Sequence, residues 1–101
     1  MGAPHLRDLG GGRFELGGDL VFETVPELLA AGDAALAAQA RAELDLAAVG
    51  RIDSAGVALL LEWSLAARRA GRALRYRNAP PALAALAGLA EVDALMPTAN
   101  G

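Results

Sequence analysis

The sequence contains no cysteine, no lysine and few aromatic residues: one tryptophan, one tyrosine and two phenylalanines. The absence of cysteine excludes a disulfide scaffold, a thiolate metal site and a cysteine nucleophile. The apolar run at residues 57–61 is far shorter than the roughly 20 residues that a membrane-spanning helix needs, so we expect no membrane insertion. The 101 residues suffice for one domain with a single hydrophobic core.

The chain is weakly acidic, with a net charge of −3, and its charges are unevenly distributed. Residues 1–50 carry three arginines against eight acidic residues, whereas residues 51–77 carry six arginines against two. An acidic chain with few aromatic residues argues against nucleic-acid binding. A solvated face is the simplest interpretation of the later arginines, and contact with anionic headgroups is the alternative. These residues are Arg68, Arg69, Arg72, Arg75 and Arg77.

Short apolar segments alternate with helical patterns along the chain. Strands are predicted at residues 6–9, 13–16, 42–49 and 73–77. Helices are predicted from about residue 24 to 40, from about residue 55 to 71, and over residues 81–90. This order predicts an α/β fold in which a mixed, mostly parallel sheet of about four or five strands is covered by helices.

Two local signals set expected boundaries in the first half of the chain. Gly17 and Gly18 are expected to end the second strand. Thr24 and Glu27 match a capping box, in which the Thr24 hydroxyl accepts an N–H of the first helical turn and Glu27 reaches back to the Thr24 amide.

The most informative stretch is Asp53-Ser54-Ala55-Gly56, between the third predicted strand and the second predicted helix. Free N–H groups and the positive end of the helix dipole concentrate at such a position, and binding sites of α/β folds gather at the carboxyl ends of strands. Ser54 is interpreted as an N-cap, a contact residue or both, and Asp53 as a cap or a dipole partner. No neighbour in the sequence completes an acid–base pair with Asp53, so we expect no catalytic centre.

The second predicted helix carries a broad apolar surface. Val57, Leu60 and Leu61 suit a buried stripe, and Leu59 and Trp63 lie beside it. One interpretation assigns the whole surface to the core. The alternative is a partner-binding patch anchored by Trp63, because tryptophan is enriched in binding hot spots.

Residues 13–97 resemble the STAS-domain family, which includes the bacterial anti-sigma factor antagonists. The resemblance rests on Gly18-Asp19-Leu20 before the first long helix, on the motif region at residues 52–61, and on Asn78 before the leucine-rich last helix. It implies a STAS-like domain over residues 13–97, preceded by a segment with an edge strand at residues 1–12 and followed by a tail at residues 98–101.

The residue before the motif glycine separates the branches of this family. In the anti-sigma factor antagonists that position carries a phosphorylated serine or threonine, whereas here it is Ala55, which has no hydroxyl group. We therefore expect no phosphorylation at this position. The Asp-Ser-Ala-Gly variant, followed by the apolar run at residues 57–61, is similar to the MlaB-type branch, the small cytoplasmic subunits of Mla phospholipid-transport ABC systems.

Resemblance to this branch implies a non-enzymatic accessory subunit that binds the transporter's ATPase subunit and supports phospholipid transport for outer-membrane lipid asymmetry. The expected contact residues are Ser54, Asp53, Leu59 and Trp63. Such a subunit is cytoplasmic and peripheral to the inner membrane through its partner, and it needs no metal, cofactor or nucleic acid. The alternative is an anti-sigma factor antagonist that acts by partner switching. A small α/β enzyme or ligand-binding module has little support in the residues.

Overall fold

The structure, a computed structural model, describes residues 3–83. Its elements follow in the order β1 (His5–Gly10), β2 (Arg13–Leu20), α1 (Val25–Ala37), β3 (Arg41–Ile52), α2 (Ser54–Arg69) and β4 (Ala73–Arg77). The strands form one sheet in the order β1-β2-β3-β4, in which β1 is antiparallel to β2 while β2, β3 and β4 run parallel. The predicted α/β fold with a mixed, mostly parallel sheet is confirmed.

One hydrophobic core lies between the sheet and the two helices. Along β3 the side chains alternate, so that Ala42, Leu44 and Leu46 are buried while Glu43 and Asp45 are only partly covered on the other face. Helices α1 and α2 pack against each other over the buried face. The largest fully buried side chains of this core are Tyr76, Phe14, Leu16, Leu20, Leu44, Leu46 and Leu60.

Tyr76, the only tyrosine of the chain, is buried beneath α2 with its hydroxyl group satisfied. The hydroxyl donates a hydrogen bond to the Leu60 carbonyl oxygen at 2.5 Å and accepts one from the Ser64 hydroxyl at 3.3 Å. Burial raises the pKa of Tyr76 far above its ordinary value, because the phenolate would lose its solvation, while the bond from Ser64 acts in the opposite direction.

Raising the pH above about 10 is expected to destabilise the fold, because Tyr76 ionises more readily in the unfolded chain than in the folded one. The stability that the neutral phenol contributes is complete below the unfolded pKa of about 10 and declines as the pH rises above it. Absorbance of the phenolate, followed together with circular dichroism, should show ionisation only as the chain unfolds. Phenolate formation near pH 10 with a native spectrum would contradict the burial of Tyr76.

Strand β2 continues through Gly17 and Gly18, so the prediction that these glycines end the strand is wrong. The pairing of β2 with β3 shifts register between Glu15 and Gly17 and again between Gly18 and Leu20, which accommodates the glycines as irregularities within the strand. Gly18 has a φ of +80°, and the Ala3 carbonyl occupies the place where a Cβ atom would lie. The backbone conformation and the N-terminal segment together exclude a side chain at this position.

The predicted capping box at Thr24 does not form, since no side-chain hydrogen bond caps α1. The Thr24 hydroxyl instead accepts a hydrogen bond from the Val21 N–H at 3.0 Å and donates one to the Asp19 carbonyl oxygen at 2.5 Å. Thr24 therefore closes the turn before the helix rather than capping it. Helix α1 also ends at Ala37, earlier than the predicted end near residue 40.

The predicted strand at residues 73–77 is confirmed as β4. A helical turn begins at Pro81, as predicted, and the Leu83 side chain is buried against the core. Residues 84–90 of the third predicted helix and the predicted tail at residues 98–101 lie outside the described residues.

Candidate functional site

The motif Asp53-Ser54-Ala55-Gly56 lies where β3 ends and α2 begins, as predicted. Because β2 and β3 are parallel, the loop after β2 meets the motif at the same edge of the sheet. Two hydrogen bonds join them: the Asp53 N–H donates to the Leu20 carbonyl oxygen at 3.2 Å, and the Phe22 N–H donates to Asp53 Oδ2 at 3.1 Å. The two loops thus form one surface at the carboxyl ends of the strands.

Asp53 is the N-cap of α2. Its Oδ1 accepts hydrogen bonds from the Ala55 N–H at 2.9 Å and the Gly56 N–H at 3.2 Å, while Oδ2 accepts the bond from Phe22. Partial burial acts to raise the pKa of the Asp53 carboxyl, but the hydrogen bonds from the three backbone N–H groups outweigh it and lower that pKa. Asp53 is therefore an ionised structural residue that holds the helix start and the β2 loop together.

Ser54 is the first residue of α2, and its side chain is exposed. Because Asp53 supplies the cap, the alternative in which Ser54 is the N-cap is wrong. Within residues 3–83 the Ser54 hydroxyl takes part in no hydrogen bond, so it can donate to and accept from another molecule. The next residue, Ala55, presents only a half-buried methyl group beside it.

Phe22 is a surface residue that was not predicted from the sequence. Its side chain is 75% exposed, although Leu20 and Val21 directly before it are buried. The sequence did contain one signal for an exposed residue here: three consecutive apolar residues cannot all face one side of an extended segment. It does not indicate which of the three faces outward. The exposed ring lies on the loop that Asp53 anchors, so it borders the same surface as Ser54.

Asp19 places a buried carboxylate at the base of this loop. Its Oδ1 accepts a hydrogen bond from the Arg51 N–H at 3.0 Å, whereas its Oδ2 is buried and has no hydrogen-bond partner among the described residues. The residue is only 4% exposed. Leaving such an acceptor unsatisfied costs about 1–3 kcal/mol.

Leu59 and Trp63 do not belong to the surface around Ser54. Each is 3% exposed and part of the hydrophobic core. Trp63 packs against Gly32 of α1, and its indole N–H donates a hydrogen bond to Asp33 Oδ1 at 3.2 Å. Of the two interpretations of this surface, burial supports the one that assigns Leu59 and Trp63 to the core, because this side of α2 packs against α1 and the sheet.

The site combines a free hydroxyl group and an exposed phenyl ring, a pair suited to recognition of another molecule. Among residues 3–83, no group of three histidine, aspartate or glutamate side chains is arranged to hold a metal ion. No helix in the same part of the chain is long and apolar enough to cross a membrane.

Comparison with known proteins identifies a matching family model and several solved structures with a similar fold. Residues 7–97 match the family model described as "Mlab, STAS domain". No curated protein matches the sequence significantly.

Three solved structures illustrate the shared fold. The anti-sigma factor antagonist SpoIIAA in its unphosphorylated form has a TM-score of 0.72 and 16% identity, over 98% of this chain and 89% of SpoIIAA. An anti-sigma factor antagonist from Mycobacterium paratuberculosis has a TM-score of 0.70 and 22% identity, over 94% of this chain and 82% of the other. Apo-SiaC from Pseudomonas aeruginosa has a TM-score of 0.61 and 23% identity, over 98% of this chain and 90% of SiaC.

Proposed function

Because the chain belongs to the STAS-domain family, we propose that it is a non-enzymatic subunit that binds a partner protein through the surface around Ser54. The partner in this proposal is the ATPase subunit of an Mla-type ABC transporter. The subunit would support phospholipid transport for outer-membrane lipid asymmetry, held at the cytoplasmic face of the inner membrane by its partner. The observation that carries the proposal is the free Ser54 hydroxyl on the same surface as the exposed ring of Phe22.

The residues of this surface have different roles in the proposed contact. Phe22 supplies apolar area, and burying such a side chain fully contributes about 1.5–3 kcal/mol. The Ser54 hydroxyl exchanges hydrogen bonds with the partner. Asp53 positions both loops without itself being the contact.

Binding of this kind would act on the ATPase through a difference in affinity. A subunit that binds one arrangement of the ATPase more tightly than the others increases the population of that arrangement. Small, rigid surfaces suit this role, and here the cap at Asp53 and the bond to Phe22 fix the two loops that form the contact.

An anti-sigma factor antagonist that acts by partner switching is the second candidate. Its support is the likeness in fold to SpoIIAA and to the mycobacterial antagonist. Ala55 opposes the phosphorylated form of this mechanism, since a methyl group stands where such antagonists carry the acceptor hydroxyl. Ser54 offers a hydroxyl group one residue earlier, on the exposed side of the helix start.

Co-purification with each candidate partner tests the proposal. The tagged full chain is co-expressed either with an Mla-type ATPase or with an anti-sigma factor kinase from the same genome, and we expect it to retain the ATPase alone. In parallel, incubation with the kinase and ATP, followed by intact mass measurement, should give no phosphate adduct. Retention of the kinase alone, or an adduct, would favour the second candidate, and retention of neither protein would overturn both.

A further inference from the structure

The face of the sheet that points away from α1 and α2 is covered with charged side chains. Residues paired in register form two rows across β2, β3 and β4. The first row consists of Arg13, Glu43 and Arg75, and the second of Glu15, Asp45 and Arg77. Every one of these side chains is exposed or half-buried.

The carboxylates of this face are already engaged in hydrogen bonds. Their partners are Arg7 for Glu15 at 3.0 Å, Arg77 for Glu43 at 3.5 Å and Asn78 for Asp45 at 3.0 Å. Asp45 Oδ1 also accepts the Ala47 N–H at 2.9 Å. These acids are therefore committed to other groups on the face.

Three arginines of the same face have no carboxylate within ion-pairing distance in the part of the chain that the structure describes. They are Arg13 and Arg41, the first residues of β2 and β3, and Arg75, the third residue of β4. All three are exposed and line one groove of about 600 Å³, which we call the arginine groove. The rest of its lining consists of four small residues and one carboxylate: Gly11, Gly12, Ala42, Ala73 and Glu43.

Strand geometry brings the three arginines around one point. Neighbouring strands lie about 4.8 Å apart, so the backbones of Arg13 and Arg75 are about 10 Å apart on either side of β3. Arg41 precedes Glu43 by two residues and therefore faces the same side of the sheet. Long side chains from these positions can reach a single anion above the small residues.

We propose that the arginine groove binds a phosphate-bearing anion. Guanidinium groups pair with phosphate oxygens through two parallel N–H···O bonds, and several such groups match a compact, multiply charged ligand. Glu43 lies between Arg13 and Arg75 in the first row, but its carboxylate pairs with Arg77, so the three unpaired arginines outnumber it at the groove. The chain as a whole is acidic, so the positive field of the groove is a local arrangement and not a result of net charge.

The arginine groove lies at the amino ends of the parallel strands, at the opposite edge of the sheet from Ser54. The inference therefore goes beyond the proposed function and does not depend on it. Loss of anion binding and loss of partner binding can be measured separately, with different variants and different ligands.

Titration of the isotope-labelled full chain with inorganic phosphate, followed by NMR, tests the groove. We expect saturable shifts of the amide signals of Gly11, Arg41 and Ala73. The double variant R13A/R75A should weaken the affinity at least about tenfold, because two charge-assisted hydrogen-bonding groups are lost. The matched variant R68A/R69A removes the same charge from the end of α2 and should bind like the unmodified chain.

A second arm distinguishes the source of the phosphate. Sedimentation with phosphatidylglycerol vesicles that is lost in R13A/R75A would identify a lipid headgroup, whereas binding of inorganic phosphate without vesicle binding would identify a soluble ligand. The proposal is overturned by the absence of a saturable response to both probes, by an equal loss in R68A/R69A, or by a preference for polyglutamate over phosphate.

Discussion

Replacing Ser54 with arginine is expected to lower the affinity for the partner protein at least about 100-fold, or roughly 2.7 kcal/mol, while the fold stays intact. Ser54 is exposed and its hydroxyl bonds to no other described residue, so a larger side chain displaces nothing within the chain. In a close interface the same side chain would add bulk and an unpaired charge. Co-purification with the ATPase measures the loss, and circular dichroism checks the fold.

The charge introduced by this variant needs its own control. Ala70→Arg places the same side chain at an exposed position at the far end of α2, away from the surface around Ser54. This variant should bind like the unmodified chain. Equal loss in both variants would assign the effect to charge alone, and full retention by Ser54→Arg would remove Ser54 from the contact.

Replacing Gly56 with alanine is expected to destabilise the fold by about 3 kcal/mol. A Cβ atom at this position would overlap the Leu20 carbonyl oxygen and lie 2.8 Å from Ile52 Cγ1. The Leu20 carbonyl also accepts the Asp53 N–H, so the overlap falls on a bond that joins β2 to the start of α2. Because the group in the way is backbone, it cannot turn aside as a flexible side chain would.

Chemical denaturation of the Gly56→Ala variant measures this effect. Helix propensity acts in the opposite direction, since alanine is favoured over glycine in a helix by about 1 kcal/mol. The reverse change at an exposed helical position, Ala58→Gly, calibrates that contribution and should cost about 1 kcal/mol. A Gly56→Ala variant more stable than the unmodified chain would show that α2 does not approach Leu20 this closely.

Much of the fold was predictable because the signals that encode it are local. The apolar alternation of residues 73–77 gave β4 with its bounds, and the helix after the motif was predicted within one residue of its observed start at Ser54. The long β2 was missed at Gly17 and Gly18, because glycine marks a turn in isolation. Here it instead makes room for the Ala3 backbone and the His5 side chain.

The candidate site was predictable in place but not in detail. Asp53 and Ser54 are both good N-caps by residue type, and in the structure Asp53 caps α2 while also accepting a bond from Phe22, which lies 31 positions away. Trp63 and Phe22 are both apolar residues in the sequence, yet one packs against Gly32 and the other is exposed. Whether an apolar side chain is buried or exposed depends on packing with residues that are far away in the sequence.

Local chemistry established the elements, the missing acceptor hydroxyl at Ala55 and the family motif, because each depends on a few neighbouring residues. Strand register and helix packing determined which distant residues lie together in the folded chain. They join Asp53 to the β2 loop and bring Arg13, Arg41 and Arg75 from three strands to one groove. Neighbours across a sheet are set by hydrogen-bond pairing and core packing over long sequence separations, and no short stretch of the chain contains that information.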